Sequence, residues 1–239
     1  MAVGMTPRPA TSTAGLVVPA YFHPALADED WQTLVRVAPD LRLVVLNVAS
    51  GPGQVLDGAF VDVVARIRAA GVSVAGYVDT DYGQKEQQEI LTEIVAYRRW
   101  YGADSVFFDR VASGIEHVPR YQALATSARA IGTELIAFNH GTHPVRDYAE
   151  HADLLGTFEG TWSAFQEVDV PVWVHDHPAN MFFNLVYDTP GRMARAVEEI
   201  AAQRNVGSVY RTEHGGPNPW AHLPADFPRQ PATGEAGSR

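Results

Sequence analysis

The 239-residue sequence predicts one α/β domain of the (β/α)8 TIM-type barrel class, and three observations point there. About eight short apolar runs alternate with segments of helical spacing, which is the order of a parallel sheet with crossover helices. The runs are near-continuous in Val, Leu, Ile and Phe, as strands covered on both faces are. Several end in a carboxylate, an amide or a tyrosine, and the C-terminal edge of such a sheet is where parallel α/β folds bind ligands. An open doubly wound sheet is the alternative. It loses ground because no glycine-rich dinucleotide turn follows the first run, where Tyr21-Phe22-His23-Pro24 stands instead.

In chain order, residues 1–14 read as a flexible tail, 15–224 as the barrel and 225–239 as a second tail, with disorder expected over Thr233 to Arg239. Leu16 to Phe22 is the first strand. Asp28 to Val37 is a short helix with Asp28 as its N-cap. Leu41 to Val48 forms the second strand, with Asn47 at its end and the turn Ser50-Gly51-Pro52-Gly53 after it. Phe60, Val63, Val64 and Ile67 mark a helix that Gly71 stops. Val72 to Val78 leads into Asp79-Thr80-Asp81-Tyr82-Gly83, and Gln84 to Tyr101 is helical with Gly102 at its end. The fourth strand, Ser105 to Asp109, runs into Arg110 and a segment, Val111 to Gly114, expected to be flexible. Tyr121 to Ile131 is helical. Leu135 to Phe138 precedes Asn139-His140-Gly141-Thr142-His143-Pro144, and Val145 to His151 is a short helix. Leu154 to Phe158 is the sixth strand, ending at Glu159-Gly160-Thr161-Trp162. Ser163 to Asn180 is an elaborated loop, longer than the usual βα connection and expected to cover part of the cleft. Phe182 to Tyr187, the helix Met193 to Arg204 and Val206 to Arg211 complete the pattern.

Composition narrows the function. A net charge of −10 argues against a nucleic-acid partner and suits a neutral or cationic ligand. With no cysteine there is neither a disulfide nor a thiolate metal site. No apolar run approaches the roughly 20 residues that span a bilayer, so no membrane partner is expected. The first residues lack the apolar core of a signal peptide, which places the chain in the cytoplasm as written, or outside the cell if the N-terminus is incomplete.

The chemistry gathers on two acids. Taken as regular strands, Asp109 shares a face with Ser105 and Phe107, and Glu159 shares one with Leu155 and Thr157. Alternate strands of a barrel supply the same interior layer, so the fourth and sixth can present these carboxylates at similar height. Next-but-one strands stand roughly 9–10 Å apart, and side chains leaning inward would close that to about 5–6 Å. A retaining glycosidase pair stands roughly 5–5.5 Å apart. Structural alternatives are that Asp109 caps the next element or pairs with Arg110, and that Glu159 does the same. Tyr21, Asn47, Tyr77, Asp79, Asn139 and Tyr210 fall at strand ends with inward parity. His23, Asp81, Tyr82, His140, Trp162, Tyr187 and Trp220 lie on or beside them, a set that suits sugar binding. The pair His175 and His177 raises a metal-dependent hydrolase as a third possibility, although it lies in the loop and not on the first strand. No metal or cofactor is assigned.

With these residues in view, the sequence resembles the spherulation-specific family 4 (spherulin-4-like) proteins from about Val18 to Trp220. The resemblance is carried by V-P-A-Y-F at 18–22, L-N-V-A-S-G-P-G at 46–53, G-Y-V-D-T-D-Y-G at 76–83 and V-F-F-D at 106–109. It continues with F-N-H-G-T-H-P at 138–144, T-F-E at 157–159, Y-D-T-P at 187–190 and P-N-P-W at 217–220. It implies a glycoside hydrolase that cuts α-1,4-linked galactosaminogalactan, a polymer of galactose, galactosamine and N-acetylgalactosamine, with Asp109 and Glu159 as the catalytic pair. Fungal members carry a second acid where this chain has Arg110, and they are usually secreted. The reading from the sequence is therefore an endo-acting glycoside hydrolase with an oligo- or polysaccharide substrate. A non-catalytic carbohydrate-binding barrel, with Arg110 neutralising Asp109, is the alternative.

Overall fold

Short β-branched and aromatic runs pair in the order in which the chain makes them. The computed structural model describes residues 15–227. Its strands are β1 (Leu16–Ala20), β2 (Leu41–Leu46), β3 (Ser73–Asp79), β4 (Ser105–Asp109), β5 (Ile136–Asn139), β6 (Leu154–Thr161), β7 (Phe182–Tyr187) and β8 (Ser208–Arg211). All are parallel and pair from β1 through to β8. Across the seam the Val17 amide donates to Ser208 Oγ at 3.1 Å, so the sheet forms a nearly closed barrel. The helices between them are α1 (Asp28–Arg36), α2 (Gly58–Ala69), α3 (Gln87–Ala96), α4 (Val118–Ile131), α5 (Trp162–Gln166) and α6 (Ala194–Gln203). The expected tail residues 1–14 and 228–239 lie outside the described part. Asp226 and Phe227 are packed: Asp226 takes the buried Arg211, and the Phe227 ring stands 6.2 Å from Tyr210.

Pleat parity builds the interior. Tyr77 pairs with Phe107, Phe107 with Ala137, and Gly156 with Phe183. The Phe107 ring stacks 6.4 Å from Tyr77 and lies 5.8 Å from Phe183, filling the barrel's middle. One pleat higher sit Asp79 and Asp109, paired with each other, and Asn139, paired with Gly156. Outside the barrel, α3 widens into a π turn at Tyr97–Tyr101 before Gly102 closes it at φ 71°. A β-carbon at Gly76 would come within 2.3 Å of the Tyr97 ring, so only glycine lets that turn lie on β3.

Several local expectations change. Asp28 is the first residue of α1, not its cap; Ala27 precedes it and no side chain caps the helix. The segment at Val145 to His151 is a 3-10 turn over Arg146–Glu150. Val111 and Ala112 are buried, so the stretch after β4 is packed and not a free loop. The elaborated loop does not cover the cleft. The Arg42 guanidinium at the start of β2 binds the Asn180 carbonyl, and Gly207, just ahead of β8, donates to Ala179 O at 2.8 Å. Asn205 holds Val174 O at 2.8 Å and His177 O at 2.9 Å. The segment is the return path from the top of β6 to the bottom of β7. It is long because α5 has only five residues and cannot span that height.

Candidate active site

Strand β6 delivers Glu159 to the interior by a route that simple alternation does not give. Gly156 pairs with Phe183 and Phe158 with Asn184, which leaves Thr157 as a bulge between them. The extra residue reverses the parity above it. Leu155, paired with Phe138 and Phe182, faces the helical layer, whereas Gly156 and Glu159 both face inward. Glu159 therefore does not share a face with Leu155. Gly156 is required below it, because a β-carbon there would come within 2.4 Å of Asn139 Oδ1 and 2.6 Å of the Phe183 ring.

Into that space Asn139 places an amide between the two acids. Its Nδ2 donates to Asp109 Oδ1 at 2.7 Å and to Glu159 Oε2 at 2.5 Å. Two oxygens held by one nitrogen at hydrogen-bond length stand no more than about 5 Å apart. Tyr77 Oη donates to Asp109 Oδ2 at 2.8 Å, and Trp220 Nε1 reaches Glu159 Oε1 at 3.3 Å. Every carboxylate oxygen thus has a donor. Burial raises both acids, and the donors act against it. For Glu159, burial and then the charge of Asp109 push the pKa up to about 7, so it holds a proton near neutrality. Asp109, with the stronger donors from Tyr77 and Asn139, is the anion of the pair. Burial and the nearby acids push the Tyr21 and Tyr77 phenols well up, so both remain donors.

Arg110 does not neutralise Asp109. It turns away at φ 51°, its Nη1 2.8 Å from Asp79 Oδ2 and its other amine on Asp81, with the guanidinium 4.8 Å over the Tyr82 ring. Asp79 and Asp81, read from the sequence as sugar ligands, are consequently paired. Two cavities open beside the acids. One of 510 Å³ is bounded by Tyr21, Asn47, Glu159, Tyr187, Asn218 and Trp220. The other, of 360 Å³, is bounded by Tyr82, Asp109, Arg110, Asn139, His140 and Glu159.

The remaining sequence candidates fall elsewhere. His23 bonds Asp57 at 2.9 Å and rests on Phe60, away from both cavities. Trp162 begins α5 and packs on Phe165, and Phe158 packs there too, so neither is the aromatic neighbour of Glu159; Trp220 is. Tyr210 is fully buried beneath Trp220, 5.8 Å away ring to ring. His175 and His177 belong to the return segment, and among the described residues no cluster of three or more His, Cys, Asp or Glu is placed to hold a metal. Asn218 escaped notice although P-N-P-W was visible as a motif. Its Nδ2 donates to Tyr21 O and its Oδ1 accepts from the Trp220 amide, fixing that indole over Glu159.

Two outcomes follow from this wiring. Asn139→Leu keeps the shape and removes the donor to both acids, so Glu159 should hold its proton to still higher pH. Loss of one charge-assisted bond to Asp109 and one neutral bond to Glu159 should cost about 2–4 kcal/mol of stability; an NMR titration of the Glu159 carboxyl and a denaturant curve check both. His140 is buried against Tyr148, with Nδ1 3.2 Å from Val111 O, and burial holds its pKa down to about 3. Because the unfolded imidazole takes a proton below about 6.5, His140 contributes stability above that pH and loses it as pH falls toward 3. Glu159 acts in the opposite sense between about 7 and 4.5. The test is therefore a difference: the stability gap between wild type and His140→Gln should shrink by about 1.4 kcal/mol per pH unit as pH falls from about 6.5 toward 3.

Fold and site together define a (β/α)8-barrel protein with a bridged carboxylate pair at its C-terminal mouth. The chain belongs to the spherulation-specific family 4, whose model matches residues 15–231. Spherulin-4 of Physarum polycephalum is 24% identical over 212 residues, 83% of this chain and 63% of that protein, so the chain spans less than two thirds of its relative's length. The crystal structure of Sph3 from Aspergillus clavatus in complex with GalNAc matches with a TM-score of 0.74 at 21% identity, over 88% of this chain and 93% of Sph3. A chitinase from Rhizomucor miehei matches at 0.52 and 11% identity, over 87% and 97%. At these identities the structural likeness is one of fold.

Proposed function

We propose that the protein is a glycoside hydrolase that cuts within an α-1,4-linked polysaccharide containing galactosamine and N-acetylgalactosamine. The observation that carries this is the single amide of Asn139 bridging the Asp109 and Glu159 carboxyls, which brings their nearest oxygens to no more than about 5 Å. That is the spacing of a retaining pair; an inverting pair needs roughly 6.5–9.5 Å for its water. In this reading Glu159 passes its proton to the glycosidic oxygen as the bond to the anomeric carbon breaks. Asp109 attacks that carbon as nucleophile and holds it as a glycosyl ester; the acetamide of an α-linked sugar is cis to the departing oxygen and cannot take this part. Water then completes the reaction and returns a proton to Glu159.

Cavities on both sides of the pair suit an internal bond of a long chain. The net charge of −10 attracts a polymer that carries free amines, and the GalNAc complex of Sph3 supports an amino-sugar ligand. The alternative of a non-catalytic binding barrel needs Arg110 to neutralise Asp109, and Arg110 is engaged by Asp79 and Asp81 instead. Incubation with a panel of amino-sugar polymers, followed by mass spectrometry, tests the proposal. New reducing ends on the galactosamine-type polymer are expected. Binding without cleavage across the panel would overturn it.

A further inference from the structure

The two cavities do not share the acids equally. The larger, beneath Trp220, is bounded by Glu159 and not by Asp109, whereas the smaller is bounded by both. The four oxygens divide the same way. Asn139 holds Asp109 Oδ1 and Glu159 Oε2, and Tyr77 holds Asp109 Oδ2, all within 2.8 Å. Glu159 Oε1 has only the 3.3 Å contact from the Trp220 indole. Of the two Glu159 oxygens, Oε1 is therefore the freer to carry and deliver a proton, and it lies on the Trp220 side. A glycosidase acid must reach the oxygen of the departing chain, while its partner faces the anomeric carbon of the sugar that is retained.

We propose that the cleft has a fixed polarity. The sugar on the non-reducing side of the cleaved bond lies over Asp109, in the half bounded by Arg110, Tyr82 and His140. The chain on the reducing side leaves through the half bounded by Trp220, Tyr21 and Asn47. This rests on the glycosidase reading above. As the carbon–oxygen bond breaks, the departing oxygen keeps the electron pair and takes the proton from Glu159 Oε1, so the chain leaves as an alcohol. The carbon left behind is met by Asp109. Water then enters from the Trp220 half, gives its proton to Glu159 and its oxygen to the carbon, as the bond to Asp109 breaks and returns its electron pair to the carboxylate. That half must release a product and admit water, in keeping with its volume of 510 Å³ against 360 Å³.

The test uses an N-acetylgalactosamine oligomer with a nitroxide at its reducing end, bound to Glu159→Gln, with the indole and arginine side-chain signals read by NMR. Loss of the Trp220 indole signal is expected, with the Arg110 Nε–H signal retained; a nitroxide at the non-reducing end should reverse the pattern. The opposite pattern, or equal loss on both sides, would overturn the polarity. Hydrolysis of the unlabelled oligomer by wild type is followed in parallel. Correct labelling without hydrolysis keeps the polarity of the bound chain and removes the glycosidase reading. Hydrolysis with reversed labelling does the converse, and failure of the labelled oligomers to bind overturns the polarity, with the glycosidase reading decided by hydrolysis alone.

Discussion

Replacing Glu159 by alanine should lower kcat on an unactivated amino-sugar polymer by about 10²–10⁴-fold, the contribution of a positioned general acid. A glycoside with an acidic phenol as leaving group needs no proton and should lose far less. The wild-type profile carries the same information. Glu159 is pushed up to about 7 by burial and the Asp109 charge, so activity should fall as pH rises through that value and the acid form disappears. Azide should rescue the alanine variant by attacking the intermediate, giving a glycosyl azide of retained configuration. Near-wild-type activity of Glu159→Ala on the unactivated polymer would reduce the mouth carboxylates to binding or structural groups.

Asp109→Ala should abolish turnover more completely, by about 10³-fold or more, because the neighbouring acid Asp79 is engaged by Arg110. Azide entering from the vacated face should yield the opposite anomer. Lack of any adduct, with activity retained on the polymer, would remove Asp109 as the nucleophile. The variant has a second signature. The Asp109 charge helps hold the proton on Glu159, so its removal should let Glu159 ionise at lower pH, as an NMR titration would read. Fold should survive both substitutions, since each removes a buried carboxyl while leaving one or two donors unpaired.

Much of this was legible before any coordinates. The eight strands announced themselves by apolar runs such as V-F-F before Asp109, since a strand covered on both faces has no room for polar alternation. Inward parity placed Tyr77, Asp109 and Asn139 correctly, because β3, β4 and β5 are regular. The ordered motifs from Val18 to Trp220 led to the family that the model match establishes. Glu159 faces inward too, but not by simple alternation: Leu155 faces the helices, and the extra residue at Thr157 turns the acid to the interior.

Sequence alone determined, then, which residues end the strands and which types of group gather at one rim, because period and residue type are local properties. Tertiary structure alone decided how those groups are wired. The bulge at Thr157 is set by pairing with β7, and the space for Asn139 by the missing side chain of Gly156. Arg110 was free in the sequence to meet any neighbouring acid; the backbone turn at φ 51° sends it to Asp79 and Asp81 and leaves Asp109 to Tyr77 and Asn139. Likewise the Ser163 to Asn180 segment was long for reasons no pattern carries, since the distance it must bridge is between the two ends of a barrel. Register, bulges and ion-pair choice depend on partners tens of residues away, and that is the information a one-dimensional reading does not contain.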